Sequence, residues 1–186
     1  MALQITLPMT KEEVASLQAG DSVLITGTIY TARDAAHKRL FEMMHSGERL
    51  PFNMNGAVIY YVGPSPAQAG MAVGSAGPTT SSRCDKYTPD MLDAGLQVMV
   101  GKGRRSEAVK EAVVRNGAVY MAATGGAGAM LARCIKEAEV IAFPDLDTEA
   151  VRKLRVENFP AVVILDSHGN DYYETARQAY LKSMET

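Results

Sequence analysis

The chain is built from short apolar runs separated by polar and glycine-rich punctuation. Val23-Leu24-Ile25-Thr26, Val98-Met99-Val100, Val119-Tyr120-Met121-Ala122, Val140-Ile141-Ala142-Phe143 and Ala161-Val162-Val163-Ile164-Leu165 are apolar or β-branched almost throughout, and a longer run between Gly56 and Gly63 is fenced by glycines. Such runs are short for helices and suit strands covered on both faces. On this reading the first ends at Gly27, and Pro64 and Pro66 break the chain after Gly63.

Between these runs the period lengthens. Ala36, Leu40, Met43 and Met44 recur at helical spacing behind Thr31-Ala32-Arg33-Asp34. That tetrad resembles a capping box with Asp in place of Glu or Gln, and the helix stops near Ser46-Gly47. Thr88 as N-cap with Pro89 in the first position predicts a short helix. Further helices are predicted from about Ser106 to Arg115, stopped by Asn116-Gly117, from the glycine turn Thr124–Gly128 to about Glu137, and from Tyr173 to Lys182. Asp166–Asn170 reads as a turn, and most of Gly70–Cys84 as a Gly/Pro/Thr/Ser loop. Strands and helices alternate without internal repeat or low-complexity linker, so one α/β domain over residues 1–186 is expected.

Composition narrows the function classes. The 186 residues are 47% hydrophobic and 22% charged with a net charge of −2, which gives no footprint for nucleic acid or a polybasic membrane contact. No apolar run approaches the roughly 20 residues of a membrane-spanning helix. The opening Met1–Thr10 lacks the cationic start and apolar stretch of a secretory signal, so a cytoplasmic protein is expected. The 2 cysteines, Cys84 and Cys134, form no C-x-x-C pair and have no histidine at ligand spacing. They read as reduced thiols, no metal site is expected in this chain, and they are too few to hold an iron–sulfur cluster.

Several segments that leave strands carry cations beside glycines or hydroxyls. Arg33, with His37 one turn on, offers a planar fork suited to a carboxylate, although a surface arginine paired with a nearby acid fits the spacing as well. Gly74–Asp85 combines small residues, four consecutive hydroxyls (Thr79, Thr80, Ser81, Ser82) and Arg83. It reads either as an anion-binding nest or as a polar turn. In Gly101-Lys102-Gly103-Arg104-Arg105 the flanking glycines free Lys102 to reach into a cleft, and a solvated basic turn is the alternative. This is not a phosphate-binding Walker loop, because Leu96 and Gly103 occupy its defining positions. Gly126-Ala127-Gly128 likewise fails the dinucleotide pattern, with Leu131 where its third glycine belongs.

Taken in order, Gly27-Thr28-Ile29-Tyr30-Thr31-Ala32-Arg33-Asp34-Ala35-Ala36-His37, Gly74 to Asp85, and Val100-Gly101-Lys102-Gly103 resemble signature stretches of the β region of class I fumarases and L-tartrate dehydratases. The resemblance runs from about Gly20 to Tyr173, and Gly77-Pro78-Thr79-Thr80 with Arg83 is its most specific part. Cys84 departs from the methionine common in that family, and both pack as modest hydrophobes. The resemblance implies a swivelling β/β/α domain facing a larger α subunit that carries a 4Fe–4S cluster, in a heterodimer or a dimer of heterodimers. It also implies that Arg33, Arg83 and Lys102 bind the carboxylates of a small dicarboxylate and that Thr79 is the candidate base. The reaction expected first is hydration of fumarate to L-malate. L-tartrate dehydration or a non-catalytic acid-binding module are the alternatives.

Overall fold

The computed structural model describes residues 1–124 and 126–184. In chain order these form β1 (Leu3–Thr6), α1 (Lys11–Ser16), β2 (Ser22–Thr31), α2 (Asp34–Ser46), β3 (Val58–Tyr60), α3 (Thr88–Asp93) and β4 (Val98–Gly101). Then come α4 (Glu107–Asn116), β5 (Val119–Ala122), α5 (Gly128–Cys134), β6 (Ile135–Ala142), β7 (Val151–Leu165) and α6 (Tyr172–Met184). Short 3₁₀ turns cover Ser81–Cys84 and Pro144–Glu149.

The fold is α/β. The strands make one 7-stranded sheet in the order β1-β2-β3-β4-β5-β7-β6, and a further pairing of β2 with β7 closes it into a ring. β2, β3, β4 and β5 run parallel, while β7 returns antiparallel to both β5 and β2. Closure removes the edges that β2 and β5 would otherwise present.

Alternation along the strands explains why the sequence runs are apolar throughout. Val58, Tyr60, Val98, Val100, Val119 and Met121 point to one face, where they meet Ile25, Ile29, Leu154, Phe159 and Val163 from β2 and β7. Ile59, Tyr61, Met99 and Tyr120 point to the other and pack under α2, α3 and α4 through Ala36, Leu40, Met91, Leu92, Val109, Ala112 and Val113. Each strand therefore has two buried faces, and each fully buried large side chain contributes about 1.5–3 kcal/mol.

Several boundaries differ from the sequence reading for local physical reasons. β2 does not stop at Gly27 but runs on to Thr31, with a bulge against β7 between Ile25 and Gly27. Gly27 has φ of 138°, and a side chain there would strike Leu7, so the glycine is a bulge residue inside the strand. The capping box at Thr31 does not form. Its hydroxyl donates to the Ala150 carbonyl at 3.2 Å and accepts the Arg152 N–H at 2.9 Å, so it joins β2 to the chain entering β7. Arg33 is the N-cap of α2, in extended backbone, and lies before the first turn of the helix.

Thr88 is likewise inside α3, with Tyr87 as the cap, and its hydroxyl donates to the Cys84 carbonyl. α5 ends at Cys134, and the chain turns directly into β6, which runs from Ile135. β7 begins well before Ala161 because Val151–Val156 pairs with β6. Pro160 falls after that pairing ends and before pairing with β5 begins at Val162. Gly125 lies outside the described residues. Among those described, no helix is long and apolar enough to cross a membrane.

Candidate functional site

The parallel strands deliver their C-terminal ends to one edge of the ring, the end at which parallel α/β folds, open or closed, commonly bind ligands. Backbone pairing continues past the strand ends and fixes the residues just beyond them. Ala32 N–H donates to Tyr60 O, Tyr61 N–H to Val100 O and Ala123 N–H to Gly101 O. Arg33 comes after β2, Tyr61–Gly63 after β3 and Lys102 after β4 at this edge.

The loop between β3 and α3 is bound across the same edge. Thr79 N–H donates to Tyr61 O at 2.7 Å, Ala76 N–H to Gly128 O at 3.0 Å, and the Tyr60 hydroxyl donates to Ala76 O. Thr80 forms an isolated parallel bridge with Lys102. Ser81 closes this junction: its N–H donates to Lys102 O at 3.0 Å, and its hydroxyl accepts the Lys102 N–H at 3.1 Å. The Ser81 hydroxyl also lies 3.0 Å from the Tyr120 hydroxyl, which donates to Gly103 O at 2.9 Å. The backbone of Lys102 is thus held on both sides while its side chain is exposed. The Thr79 hydroxyl makes no hydrogen bond among the described residues, and the residue is half-buried.

The structure therefore brings the Thr79 loop and the Lys102 turn into contact, and it places Arg33 on the adjoining strand end. Arg83 sits exposed on the 3₁₀ turn just after Ser81 and makes no ion pair among the described residues. Arg33 is more committed. Its Nη2 lies 3.4 Å from Glu149 Oε1 and its Nε 3.8 Å from Asp34 Oδ1. The side chain lies across Gly63, where an added Cβ would come within 2.9 Å of Arg33 Cδ and Nη1.

Sequence reasoning missed the layer beneath. Arg105 is buried, pairs with Asp85 at 2.7 Å, and donates to the Thr88 hydroxyl at 2.9 Å. Its guanidinium lies over the rings of Tyr61 and Tyr120, at 5.2 and 4.9 Å. The second oxygen of Asp85 accepts the Ser106 N–H at the start of α4. This ion pair ties the hydroxyl loop to the Lys102 turn from below. Asp85 and Arg105 carried no local signal, since they are far apart in sequence and Arg104 beside Arg105 is exposed.

His37 belongs to the same layer. Its Nδ1 lies 2.9 Å from the Arg33 carbonyl, which can only accept, so Nδ1 carries the proton. Its ring meets Tyr61 edge-on, and Nε2 is buried with no partner. Burial pushes its pKa down to about 4, opposed by the Arg33 carbonyl, so the imidazole is neutral and withdrawn from proton transfer near pH 7. Burial pushes the Cys84 thiol up to about 12, and Cys134 is partly buried on α5. Among the described residues no group of His, Cys, Asp and Glu could hold a metal ion, and this donor set does not fit an iron–sulfur cluster.

A cleft of about 520 Å³ lies at the opposite end of the strands, bordered by Lys11, Asn55, Asp93, Gln97 and Asn116. Its acid is already bound: Asp93 accepts from both Arg115 and Asn116. The edge with Arg33, Thr79, Arg83 and Lys102 gathers three cations, two of them without an ion pair among the described residues, beside a hydroxyl loop.

Comparison with known proteins gives the family of the chain. The family model described as "Fumarase C-terminus" matches residues 1–176. "Fumarate hydratase 2" of Leishmania major is 40% identical over 92% of the chain, which covers 30% of that protein. "Fumarate hydratase class I, anaerobic" of Escherichia coli is 42% identical over 81% of the chain and 28% of its own length. "Putative L(+)-tartrate dehydratase subunit beta" of Methanocaldococcus jannaschii is 40% identical over 89% of the chain and 88% of its own length. The chain thus spans under a third of these two fumarases and most of the β subunit.

Proposed function

The chain belongs to the fumarase C-terminus family, and on that premise we propose that it is the β-type domain of a hydro-lyase that interconverts fumarate and L-malate. It works as one domain and is active only when joined to an α chain. Arg33, Arg83 and Lys102 bind the carboxylate oxygens of the substrate. Thr79, whose hydroxyl makes no hydrogen bond among the described residues and which lies one residue from the Lys102 bridge, takes up the proton from the carbon next to the departing hydroxyl. The cations around it favour its charged form. Any cluster of the assembled cytoplasmic enzyme belongs to the α chain, because this chain lacks the thiolates for it.

The observation that carries this reading is the junction at Thr80 and Lys102, which joins the Thr79 loop to the strand end carrying Lys102 in a chain of this family. A second substrate reading, L-tartrate dehydration, is favoured by the near full-length match to the small subunit from Methanocaldococcus jannaschii. The two substrates differ by a hydroxyl, which a few side chains on either chain can decide.

Anaerobic co-expression with a cluster-bearing α chain, followed by assays on fumarate, malate and tartrate, tests the proposal. Co-purification and turnover of one of these acids is expected. A stable complex that turns over none of them, while the chain alone still binds dicarboxylates, would leave an acid-binding module instead. Within an active complex, Thr79→Ala should lower kcat about 100-fold or more and leave KM within a few-fold. Wild-type exchange of solvent deuterium into malate by that variant would move the base to the partner chain.

A further inference from the structure

Arg33 is held in a pose that its own helix does not impose. It sits at the N-cap of α2, and its side chain lies flat across Gly63. The backbone of Gly63 is not in the left-handed region, so the absent side chain serves the close approach of Arg33 and of the Thr148 carbonyl.

Glu149 fixes the other side of the guanidinium. One carboxylate oxygen lies 3.4 Å from Arg33 Nη2, and the other accepts the Ala35 N–H at 3.0 Å in the first turn of α2. The side chain is only 21% exposed, so solvent screens the pair incompletely. Glu149 is in turn presented by a braced segment. Arg152 donates to the carbonyls of Asp147 and Thr148 at 2.9 and 3.0 Å, and Arg39 pairs with Asp145 and lies over the Phe143 ring. The segment also holds two non-glycine residues at positive φ, Phe143 at 55° and Asp147 at 50°. Such strain persists only where the surroundings over-determine it, and it clusters at places that hold functional groups. Glu149 is therefore a fixed point rather than a flexible side chain that happens to meet a cation.

The geometry points to Glu149 as the positioning residue of Arg33. Its carboxylate holds Nη2 beside the floor of Gly63, Nε is buried without a hydrogen-bond partner, and the pose so fixed presents the guanidinium to a substrate carboxylate. This rests on the reading of Arg33 as a carboxylate-binding group. The alternative geometry has Glu149 as a stand-in for the substrate, to be displaced on binding, and it predicts the opposite kinetics.

Two measurements separate these outcomes. The Nε–H resonance of Arg33, identified by its loss in Arg33→Lys, reads the pose directly in the full chain. In the wild type it should exchange slowly with solvent. Glu149→Ala should bring it to rapid exchange, Glu149→Gln should be intermediate, and Gly63→Ala should disturb it with Glu149 intact. In the assembled enzyme, Glu149→Ala should cut kcat/KM by about 10- to 100-fold with both constants affected, and Glu149→Gln should recover part of the loss. A lower KM with unchanged kcat in Glu149→Ala would make Glu149 a competitor of substrate. An unchanged Arg33 resonance would make it a bystander. If the wild-type complex turns over no dicarboxylate, the functional reading fails, while the resonance still decides whether Glu149 sets the pose of Arg33. If Glu149→Ala does not fold, Glu149→Gln and Gly63→Ala carry the same comparison.

Discussion

Lys102 and Arg105 leave the same strand within one turn of chain, yet the fold treats them oppositely. The Lys102 side chain is exposed and unpaired among the described residues, while its backbone is locked by Ser81. Arg105 is buried, with Asp85, the Thr88 hydroxyl and two tyrosine rings around it. The difference sorts the cations of this edge into a buried supporting layer and an exposed rim. A cation whose donors are already spent on its own chain cannot also hold a ligand. One whose backbone is fixed and whose head is free can.

The largest effect should come from breaking the supporting pair. Arg105→Ala leaves the Asp85 carboxylate with only the Ser106 N–H, and removing one partner of a buried pair costs about 3–5 kcal/mol. Urea denaturation should report this as a lower midpoint with an unchanged slope. A loss under about 1 kcal/mol would place Arg105 with ordinary surface arginines and erase the contrast with Lys102.

His37 sharpens the comparison through pH. Burial lowers its pKa from the usual 6.5 to about 4. The unfolded chain then binds a proton that the folded chain refuses between these values, so stability falls as pH drops from about 6.5 toward 4 and is fully present above that window. A gap of this size corresponds to roughly 3 kcal/mol at most. His37→Gln can still donate to the Arg33 carbonyl and does not titrate, so its stability should be flatter across the window. Equal slopes for the two proteins would mean that His37 is reached by water.

Gly101→Ala should fall next. A Cβ there would overlap the Ser81 hydroxyl, which holds the Lys102 turn, and overpacking of this kind costs about 1–3 kcal/mol. Ser81→Ala together with Gly101→Ala should recover part of the loss, because the overlapping atom is gone. Failure to recover would locate the strain at Tyr61, the other neighbour of that Cβ.

Legibility in the sequence divides along the same line. β3, β4 and β5 were legible because both faces are buried, which makes their runs apolar throughout, and α4 was legible because Gly117 ends it in the left-handed region. The β6–β7 ribbon was legible only at Val140–Ala142 and Ala161–Leu165, and the rest of both strands was not. Most of β6 is exposed, with Lys136, Glu137 and Glu139 along it, and the first half of β7 alternates with Arg152, Lys153 and Arg155. Gly27 misled because a bulge and a strand end use the same residue. At the site, the glycine and hydroxyl stretches pointed to the edge on which the strands converge. Arg105 and Glu149 were invisible because each acts through a residue far along the chain, Asp85 in one case and Arg33 in the other.

The smallest effect on stability should come from the rim, where it is the most informative. Lys102→Ala and Arg83→Ala remove exposed side chains without an ion pair among the described residues, so each should shift stability by no more than about 0.5 kcal/mol. The backbone bonds of Lys102 to Ser81 survive the substitution, and the turn should keep its shape. In the assembled enzyme the same variants should raise KM for a dicarboxylate about 10-fold or more, because a charge-assisted contact to a carboxylate is lost. Lys102→Arg keeps the charge but changes a compact ammonium into a wide fork, so it should recover binding better than turnover. A stability loss comparable to that of Arg105→Ala would mean that Lys102 also supports the fold. Unchanged kinetics in both alanine variants would leave Arg33 as the carboxylate ligand this chain supplies, with the remaining charge on the substrate met by the partner chain.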